Sequence, residues 1–255
     1  MWNPEPSRPR SSRPWRSQVF LSQMGATLVV LVLGLLFVPA EAACEPGDWP
    51  RFRGPNLDGK STERGLVDAW GPDGPREMWR ISGGQGYSGL SVADGRLYTL
   101  VGRGGEELAV AYDAKTGAEL WRHRLDSNYQ DGMGSGPRST PAVDGDVVFV
   151  LGAQGVLAAL DAKTGEPRWT QDLKKSFGAR APQWGISTSP LVLGDLLLID
   201  VGGRDGASVV ALNKRDGIVR WSAGSDKAGY SMPLPVEVGG VRQVVFFTGT
   251  RVQGV

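Results

Sequence analysis

The sequence predicts an all-β protein, a β-propeller built of four-stranded antiparallel blades. A motif of the form Ala-x-Asp-x-x-Thr-Gly-x-x-x-Trp recurs about every 50 residues from residue 111 onward, and a period of roughly 20–50 residues is typical of solenoids and propellers. Asp and Gly between two apolar runs precede each copy, which is a strong hairpin signal. Two hairpins per repeat give four strands, and radial repetition of four-stranded units makes a propeller.

Each copy of the motif combines a turn-forming side chain, a glycine four residues later and a tryptophan on the next strand. The Asp or Asn side chain accepts hydrogen bonds from downstream amides, and the glycine suits a positive φ in a hairpin closed by a bulge. The third copy departs from the motif at Asn213 and Asp216. The predicted structural residues of the repeat are Asp113, Thr116, Gly117, Trp121, Asp161, Thr164, Gly165, Trp169, Asn213, Gly217 and Trp221.

The beginning of the chain has the three-part layout of a secretory signal peptide, which predicts export. An Arg-rich segment precedes the apolar run Ala26–Val38, and Ala40-Glu41-Ala42 fits a cleavage site that would remove residues 1–42. The apolar run is shorter than the roughly 20 residues that cross a bilayer. We therefore expect an extracytoplasmic protein, periplasmic or secreted, without a transmembrane span after signal removal.

Cys44 is the single cysteine of the chain, so an intramolecular disulfide is excluded. Its position after the apolar run would suit a lipid anchor of the bacterial lipoprotein type. Glu41, however, stands where an aliphatic residue is expected for lipidation. Cleavage after Ala42 is the favoured outcome, and it leaves Cys44 as a free thiol near the new N-terminus.

Residues 43–74 are predicted to form an irregular N-terminal arm, because they are rich in Gly and Pro. The segment from Met78 to Ile81 resembles the end of a repeat without its preceding hairpin. It is predicted to be a lone outer strand, with Trp79 in the tryptophan position. The partial propeller is then expected to extend over residues 75–255.

Three complete blades are predicted, at about 87–125, 138–173 and 187–222, and a fourth begins at Pro233. About three and a half blades do not close a ring of the usual four to eight. The sequence is therefore expected to be a fragment of a longer propeller. The alternative is a small open propeller that a second copy completes.

Composition excludes several kinds of site. The 28 basic and 27 acidic side chains give a net charge of +1, so a nucleic-acid partner has no electrostatic basis. The single histidine, His123, lies beside Trp121 on a predicted outer strand and is interpreted as a solvent-facing residue. No His/Cys cluster and no calcium-loop spacing occur, so no metal site is predicted.

Candidate binding residues stand where the innermost strands begin, since these strand ends line the central channel of a propeller. Arg138 offers a bidentate partner for an anion, and Trp184 offers a stacking face for a planar ring. An alternative stays open, in which these residues only form the entry to the first strand of each repeat. The channel-lining candidates are Arg138, Ser139, Trp184, Ser187 and Tyr230.

The repeat resembles that of the PQQ-type propellers, the quinoprotein family, and the segment Asp48-Trp49-Pro50-Arg51-Phe52-Arg53-Gly54-Pro55 resembles secreted bacterial members, including those of planctomycetes. The resemblance covers residues 48–255 and implies that the tryptophans dock neighbouring blades. It implies one of two functions. The first is a binding or scaffolding module for an unknown protein partner or small ligand, similar to the propeller component of outer-membrane barrel assembly.

The second is a PQQ-dependent alcohol or sugar dehydrogenase, in which the quinone accepts a hydride equivalent with the aid of calcium. The catalytic relatives often have an adjacent cysteine pair or a haem-binding domain. This chain contains neither an adjacent cysteine pair nor a Cys-x-x-Cys-His motif. We therefore expect the scaffold function, and PQQ with calcium only in a complete protein.

Overall fold

A computed structural model describes residues 47–255, and the predicted signal peptide and Cys44 lie outside this range. The described chain forms three four-stranded sheets and one three-stranded sheet, all antiparallel. Within each sheet, strands that follow one another in the sequence are also hydrogen-bonded neighbours. This arrangement confirms the prediction of an all-β propeller arc of about three and a half blades.

The elements follow the predicted blades closely. The first blade contains β1 (Ser91–Ala93), β2 (Arg96–Arg103), β3 (Glu106–Asp113) and β4 (Glu119–Ser127). The second contains β5 (Ala142–Asp144), β6 (Val147–Leu151), β7 (Val156–Asp161) and β8 (Pro167–Asp172), followed by the short helix α1 (Leu173–Phe177). The third contains β9 (Leu191–Leu193), β10 (Leu196–Asp200), β11 (Val209–Asn213) and β12 (Val219–Ala223). The fourth contains β13 (Leu234–Val238), β14 (Val241–Phe247) and β15 (Val252–Gly254).

The hydrophobic core lies between the blades. The two middle strands of the second blade are buried on both faces, because one face packs against the first blade and the other against the third. Tyr98 and Trp121 of the first blade pack with Val148 and Leu160 of the second. A similar cluster joins the second blade to the third. Each blade therefore depends on its neighbours to bury its apolar surface.

The motif forms the turn that its residues predict. In the second copy, the Asp161 carboxylate accepts hydrogen bonds from the amides of Lys163 and Thr164, both at 3.0 Å. The amide of Gly165 donates to the Asp161 carbonyl at 2.8 Å, and Gly165 has a φ of 74°. The register of β7 and β8 shifts between Ala159 and Leu160, which confirms the predicted bulge.

The third copy keeps the same turn with different side chains. The side chain of Asn213 accepts a hydrogen bond from the Arg215 amide at 2.9 Å. The Asp216 carboxylate accepts from the Ile218 amide at 2.9 Å. In the first copy, Thr116 occupies the position of Asp216, and its hydroxyl accepts a hydrogen bond from the Ala118 amide. The backbone bonds of the turn are also kept, from Gly217 N to Asn213 O at 2.9 Å and from Asn213 N to Ile218 O at 2.8 Å.

Three tryptophans, at positions 79, 121 and 169, each dock onto the glycine turn of the next blade. The indole N–H of Trp121 donates to the carbonyl of Ala162 at 3.1 Å, and its ring covers Gly165. A Cβ atom at Gly165 would lie 2.6 Å from the ring, closer than packing permits. Glycine is thus required there both for the positive φ and for the approach of the ring.

The same contact recurs along the arc. Trp169 covers Gly217 in the third blade, and its indole N–H donates to a backbone carbonyl of that turn at 3.0 Å. Trp79 covers Gly117 in the first blade and makes the equivalent hydrogen bond at 3.0 Å. Trp121 is buried, whereas Trp169 and the other repeat tryptophan, Trp221, are partly buried.

The predicted strand at residues 78–81 is wrong, although Trp79 does occupy the predicted tryptophan position. This segment has no regular secondary structure. It forms no ladder hydrogen bonds with any strand of the described chain. The docking of an indole onto a glycine turn therefore does not require the tryptophan to sit on a strand.

The described part of the chain contains no helix long and apolar enough to cross a membrane. Its single helix, α1, has five residues and is capped by Asp172, whose carboxylate accepts hydrogen bonds from the amides of Lys174 and Lys175. This helix follows the outer strand of the second blade and buries Leu173.

We predict that Gly165→Ala destabilises the fold more than Gly145→Ala does. Both glycines have a positive φ, but a Cβ atom at Gly145 meets nothing within 4 Å. Gly145→Ala should cost about 1–2 kcal/mol of unfolding free energy from backbone strain. Gly165→Ala should cost about 1–3 kcal/mol more, because its methyl group overlaps the Trp121 ring. Urea unfolding of both variants measures this difference.

The control is to repeat both substitutions in a Trp121→Ala background. Removing the ring removes the overlap, so the two glycine variants should then lose similar stability. Equal losses in the parent protein would contradict the docking contact.

Candidate functional site

A cavity of about 860 Å³ lies where the inner strands of the four blades begin. The segments that lead into β1, β5, β9 and β13 supply most of its wall, and the N-terminal arm supplies the rest. Its large apolar side chains are Phe52, Tyr87, Met133, Trp184, Tyr230, Met232 and Leu234. Its hydroxyl side chains besides tyrosine are Thr140, Ser187, Ser189 and Ser231. The cavity is therefore mainly aromatic and apolar, with hydroxyl groups between the rings.

Hydrogen bonds between neighbouring blades fix the wall of this cavity. They run from Tyr87 N to Pro137 O at 2.8 Å, from Thr140 N to Ser189 Oγ at 2.9 Å, and from Thr188 Oγ1 to Ser231 O at 2.9 Å. Each bond joins the entry of one inner strand to the entry of the next. The lining residues are thus held on a connected ring segment rather than on separate loops.

The N-terminal arm crosses the inner strands and then enters the cavity. It contacts three successive blades. Trp49 pairs with Val92 of β1 through two backbone hydrogen bonds of 2.8 and 2.9 Å, and Pro50 O accepts a hydrogen bond from Val143 N of β5 at 2.8 Å. Arg51 Nη1 donates a hydrogen bond to Val192 O of β9 at 3.4 Å. Phe52 and Arg53 follow and line the cavity. The arm advances one blade with each residue, and it positions part of the cavity wall.

Arg138 borders the cavity, but its guanidinium already has partners. The side chain is 8% exposed and pairs with the Asp131 carboxylate at 2.9 Å. It also donates to the Gly134 carbonyl at 2.6 Å and lies 4.6 Å from the centroid of the Tyr129 ring. This network holds residues 129–136 against the blade. Arg138 therefore shapes the wall and carries a positive charge that Asp131 balances.

Trp184 and Tyr230 form an aromatic pair at the cavity. Their ring centroids are 5.5 Å apart with an interplanar angle of 33°. Their side chains remain 45% and 41% exposed, so much of their apolar surface faces open space. Two long hydrogen bonds of 3.4 Å join the third blade to the fourth. One runs from Trp184 N to the Tyr230 hydroxyl, and the other from Ser187 Oγ to Tyr230 O.

The structure brings four of the five sequence-predicted site residues together. Arg138, Trp184, Ser187 and Tyr230 all line the cavity. Ser139 is fully buried beside it, and its hydroxyl makes no hydrogen bond within residues 47–255. A ligand-binding role for these residues stays a prediction.

Sequence reasoning missed several residues of the cavity wall. Tyr87 had a readable signal, because Gly86-Tyr87-Ser88 repeats Gly229-Tyr230-Ser231 at the same point of the blade. Met133 and the arm residues Phe52 and Arg53 had none, because they come from outside the repeat. His123 lies on β4, half-buried and away from the cavity, and burial lowers its pKa.

Two buried carboxylates lie between blades. Glu107 on β3 accepts a hydrogen bond from the Ala153 amide of the second blade at 2.9 Å, and burial raises its pKa to about 7. Asp200 at the end of β10 accepts from the Gly229 amide at 2.8 Å, and burial raises its pKa to about 6. Neither lines the cavity. Within residues 47–255, no group of three or more His, Cys, Asp or Glu side chains is placed to hold a metal ion.

Comparison with known protein families shows the family to which the chain belongs. The family model described as outer membrane protein assembly factor BamB matches residues 63–133 and 105–255. The chain belongs to this PQQ-like repeat family. The match confirms the resemblance of the repeat to PQQ-type propellers, whereas the planctomycete-type assignment stays a prediction.

Relatives of this BamB-family chain carry different names. The chain is 26% identical over 189 residues to a serine/threonine-protein kinase, AfsK, of Streptomyces griseus, a match that covers 71% of this chain and 21% of the relative. It is 26% identical over 164 residues to BamB of Shewanella oneidensis, which covers 63% of this chain and 39% of the relative. It is 31% identical over 107 residues to a quinoprotein ethanol dehydrogenase of Pseudomonas putida, which covers 41% of this chain and 17% of the relative. The matches thus span less than half the length of each relative.

We predict that Glu107 makes the stability of the fold depend on pH. Its folded-state pKa of about 7 lies above the ordinary glutamate pKa of 4.5, so the native state binds more protons than the unfolded state between these two pH values. Stability is therefore lost as pH rises through this window. The unfolding free energy of Glu107→Gln, relative to that of the parent, should rise by up to about 3 kcal/mol from pH 5 to pH 8.

Urea unfolding at the two pH values measures the effect. The exposed Glu237 provides a matched control, and Glu237→Gln should follow the pH profile of the parent. Parallel profiles for the parent and Glu107→Gln would contradict the role assigned to Glu107.

Proposed function

We propose that this chain is an exported, non-catalytic propeller module that binds or scaffolds a partner protein. The family match and the BamB relatives support this function. The observation that carries it is the cavity itself, where large aromatic and Met side chains are held on a braced wall with much of their surface exposed. Trp, Tyr, Phe, Met and Arg are the residue types enriched in the cores of protein interfaces.

The proposal includes an extracytoplasmic location. The signal-peptide layout of residues 1–42 and the BamB relatives support it. A module of this kind would meet its partner in the periplasm or outside the cell. Cys44 would then be the second residue of the mature chain.

A PQQ-dependent dehydrogenase is the alternative, supported by the quinoprotein relatives. The exposed face of Trp184 fits a planar quinone, and Arg53 could pair with a carboxylate of such a ring. Calcium prefers carboxylate and carbonyl oxygens, yet the side chains that line the cavity in the described chain include no carboxylate. These residues therefore fit the ring but not its metal, and we derive no catalytic step from them.

Export is tested by N-terminal sequencing of the protein from the extracytoplasmic fraction of the encoding bacterium. We expect the mature chain to begin at Ala43. The control is deletion of Ala26–Val38, which should leave the whole chain in the cytoplasm with Met1 retained. A parent protein found uncleaved in the cytoplasm would contradict export, and a lipid-modified Cys44 would overturn the cleavage site alone.

The function is tested by cross-linking the tagged protein in the same bacterium, identifying the partner by mass spectrometry and titrating the two purified proteins. We expect saturable binding of one extracytoplasmic protein. In parallel, ethanol, a redox dye, PQQ and calcium are added to the purified protein, and no dye reduction is expected. Dye reduction that requires PQQ would contradict the non-catalytic function, and failure of the purified proteins to bind would contradict the scaffold function.

A further inference from the structure

The large exposed side chains of the cavity form one apolar surface. Tyr87 and Met133 are 63% and 76% exposed, and Trp184, Tyr230 and Phe52 are each at least 41% exposed. Large apolar side chains that gather in one concave surface, instead of being scattered singly, mark an interaction site. Thioethers adapt to differently shaped apolar groups. The cavity therefore suits a ligand with a large apolar side chain.

Several polar groups of the wall are engaged within the protein. The Ser189 hydroxyl accepts from the Thr140 amide, and the Tyr87 hydroxyl donates to the Met133 carbonyl. Arg138 is occupied by the loop that it holds. A ligand that is recognised through many hydroxyl groups, such as a saccharide, would have to compete with these internal hydrogen bonds. The wall thus favours apolar contact over a dense set of hydrogen bonds.

The charged side chains of the cavity wall are all positive. The charged side chains that line the cavity are Arg53 and Arg138. Asp131 balances Arg138, whereas Arg53 is exposed and makes no ion pair within residues 47–255. An acidic group on the ligand would complement Arg53, and such complementarity gives specificity and faster association.

The wall is also built in advance of binding. Bonds between blades connect the entries of the inner strands, and the arm that carries Phe52 and Arg53 is bonded to three blades. A cavity of about 860 Å³ exceeds the space that one side chain fills and accommodates a short stretch of chain. A preformed site loses little conformational entropy when it binds.

We propose that this cavity binds an extended peptide segment of a partner protein, which inserts an aromatic side chain among Tyr87, Trp184 and Tyr230 and places an acidic side chain against Arg53. The inference rests on the proposed scaffold function and specifies the chemistry of the partner. Aromatic anchors in pockets often dominate the affinity of such interfaces. The acidic group fixes the orientation of the segment.

The test measures binding of fluorescently labelled acetyl-Glu-Phe-Phe-Glu-amide to the exported protein by anisotropy. We expect saturable binding that is weakened about tenfold or more by Trp184→Ala, as for loss of an interface anchor. We also expect Arg53→Glu to reverse the preference, so that acetyl-Lys-Phe-Phe-Lys-amide binds better than the acidic peptide. Trp184 and Arg53 are exposed, so both variants should fold, and circular dichroism and thermal melting verify this.

The control variants are Trp70→Ala and Arg220→Glu, which change exposed residues outside the cavity and should bind like the parent. Equal binding of the two peptides by the parent would overturn the role of Arg53. Equal binding of acetyl-Glu-Ser-Ser-Glu-amide, displacement of the probe by maltotriose, or no binding of the acidic peptide would overturn the peptide assignment.

A final comparison separates this inference from the scaffold function. Trp184→Ala is titrated with the partner identified by cross-linking. Weakened binding supports the cavity as the docking site. Unchanged binding overturns the cavity inference and leaves the scaffold function standing, whereas a parent protein that binds no partner overturns the scaffold function itself.

Discussion

The contact on which the rest of the structure depends is a tryptophan ring lying on a glycine turn of the next blade. Gly165 adopts a φ of 74° and leaves room for the Trp121 ring, which a Cβ atom would enter. The turn is set locally by Asp161, while the ring comes from the preceding blade. One residue type thus meets a local backbone requirement and a long-range packing requirement together. The contact links the geometry of each hairpin to the stacking of the blades.

Stacking of the blades has a second consequence at the inner edge of the arc. Because the blades are held in register, the entries of their inner strands come together, and hydrogen bonds such as Thr140 N to Ser189 Oγ connect them. The arm crosses the same strands and adds Phe52 and Arg53. The cavity is therefore a product of the repeat and of a segment outside the repeat. The repeat provides rigidity, and the segments between strands provide the chemistry.

This division explains how one repeat family includes relatives with names as different as an assembly factor and an ethanol dehydrogenase. The repeat residues are occupied by turns and blade contacts, so they carry no information about a ligand. Function lies in the site that the fold positions. Within residues 47–255, that site presents exposed aromatic rings and an Arg53 side chain that makes no ion pair, a chemistry that suits the protein-binding role proposed for it.

The sequence by itself determined the fold, because the turn, the bulge and the indole anchor are local patterns repeated about every 50 residues. It also located Trp184 and Tyr230, whose positions follow from the blade register. Only the tertiary structure decided that Arg138 is neutralised by Asp131, that Trp79 docks without a strand, and that Arg53 enters the cavity. These outcomes depend on which segments approach one another across blades. Such contacts leave no periodic signal in the chain, so the repeat could not reveal them.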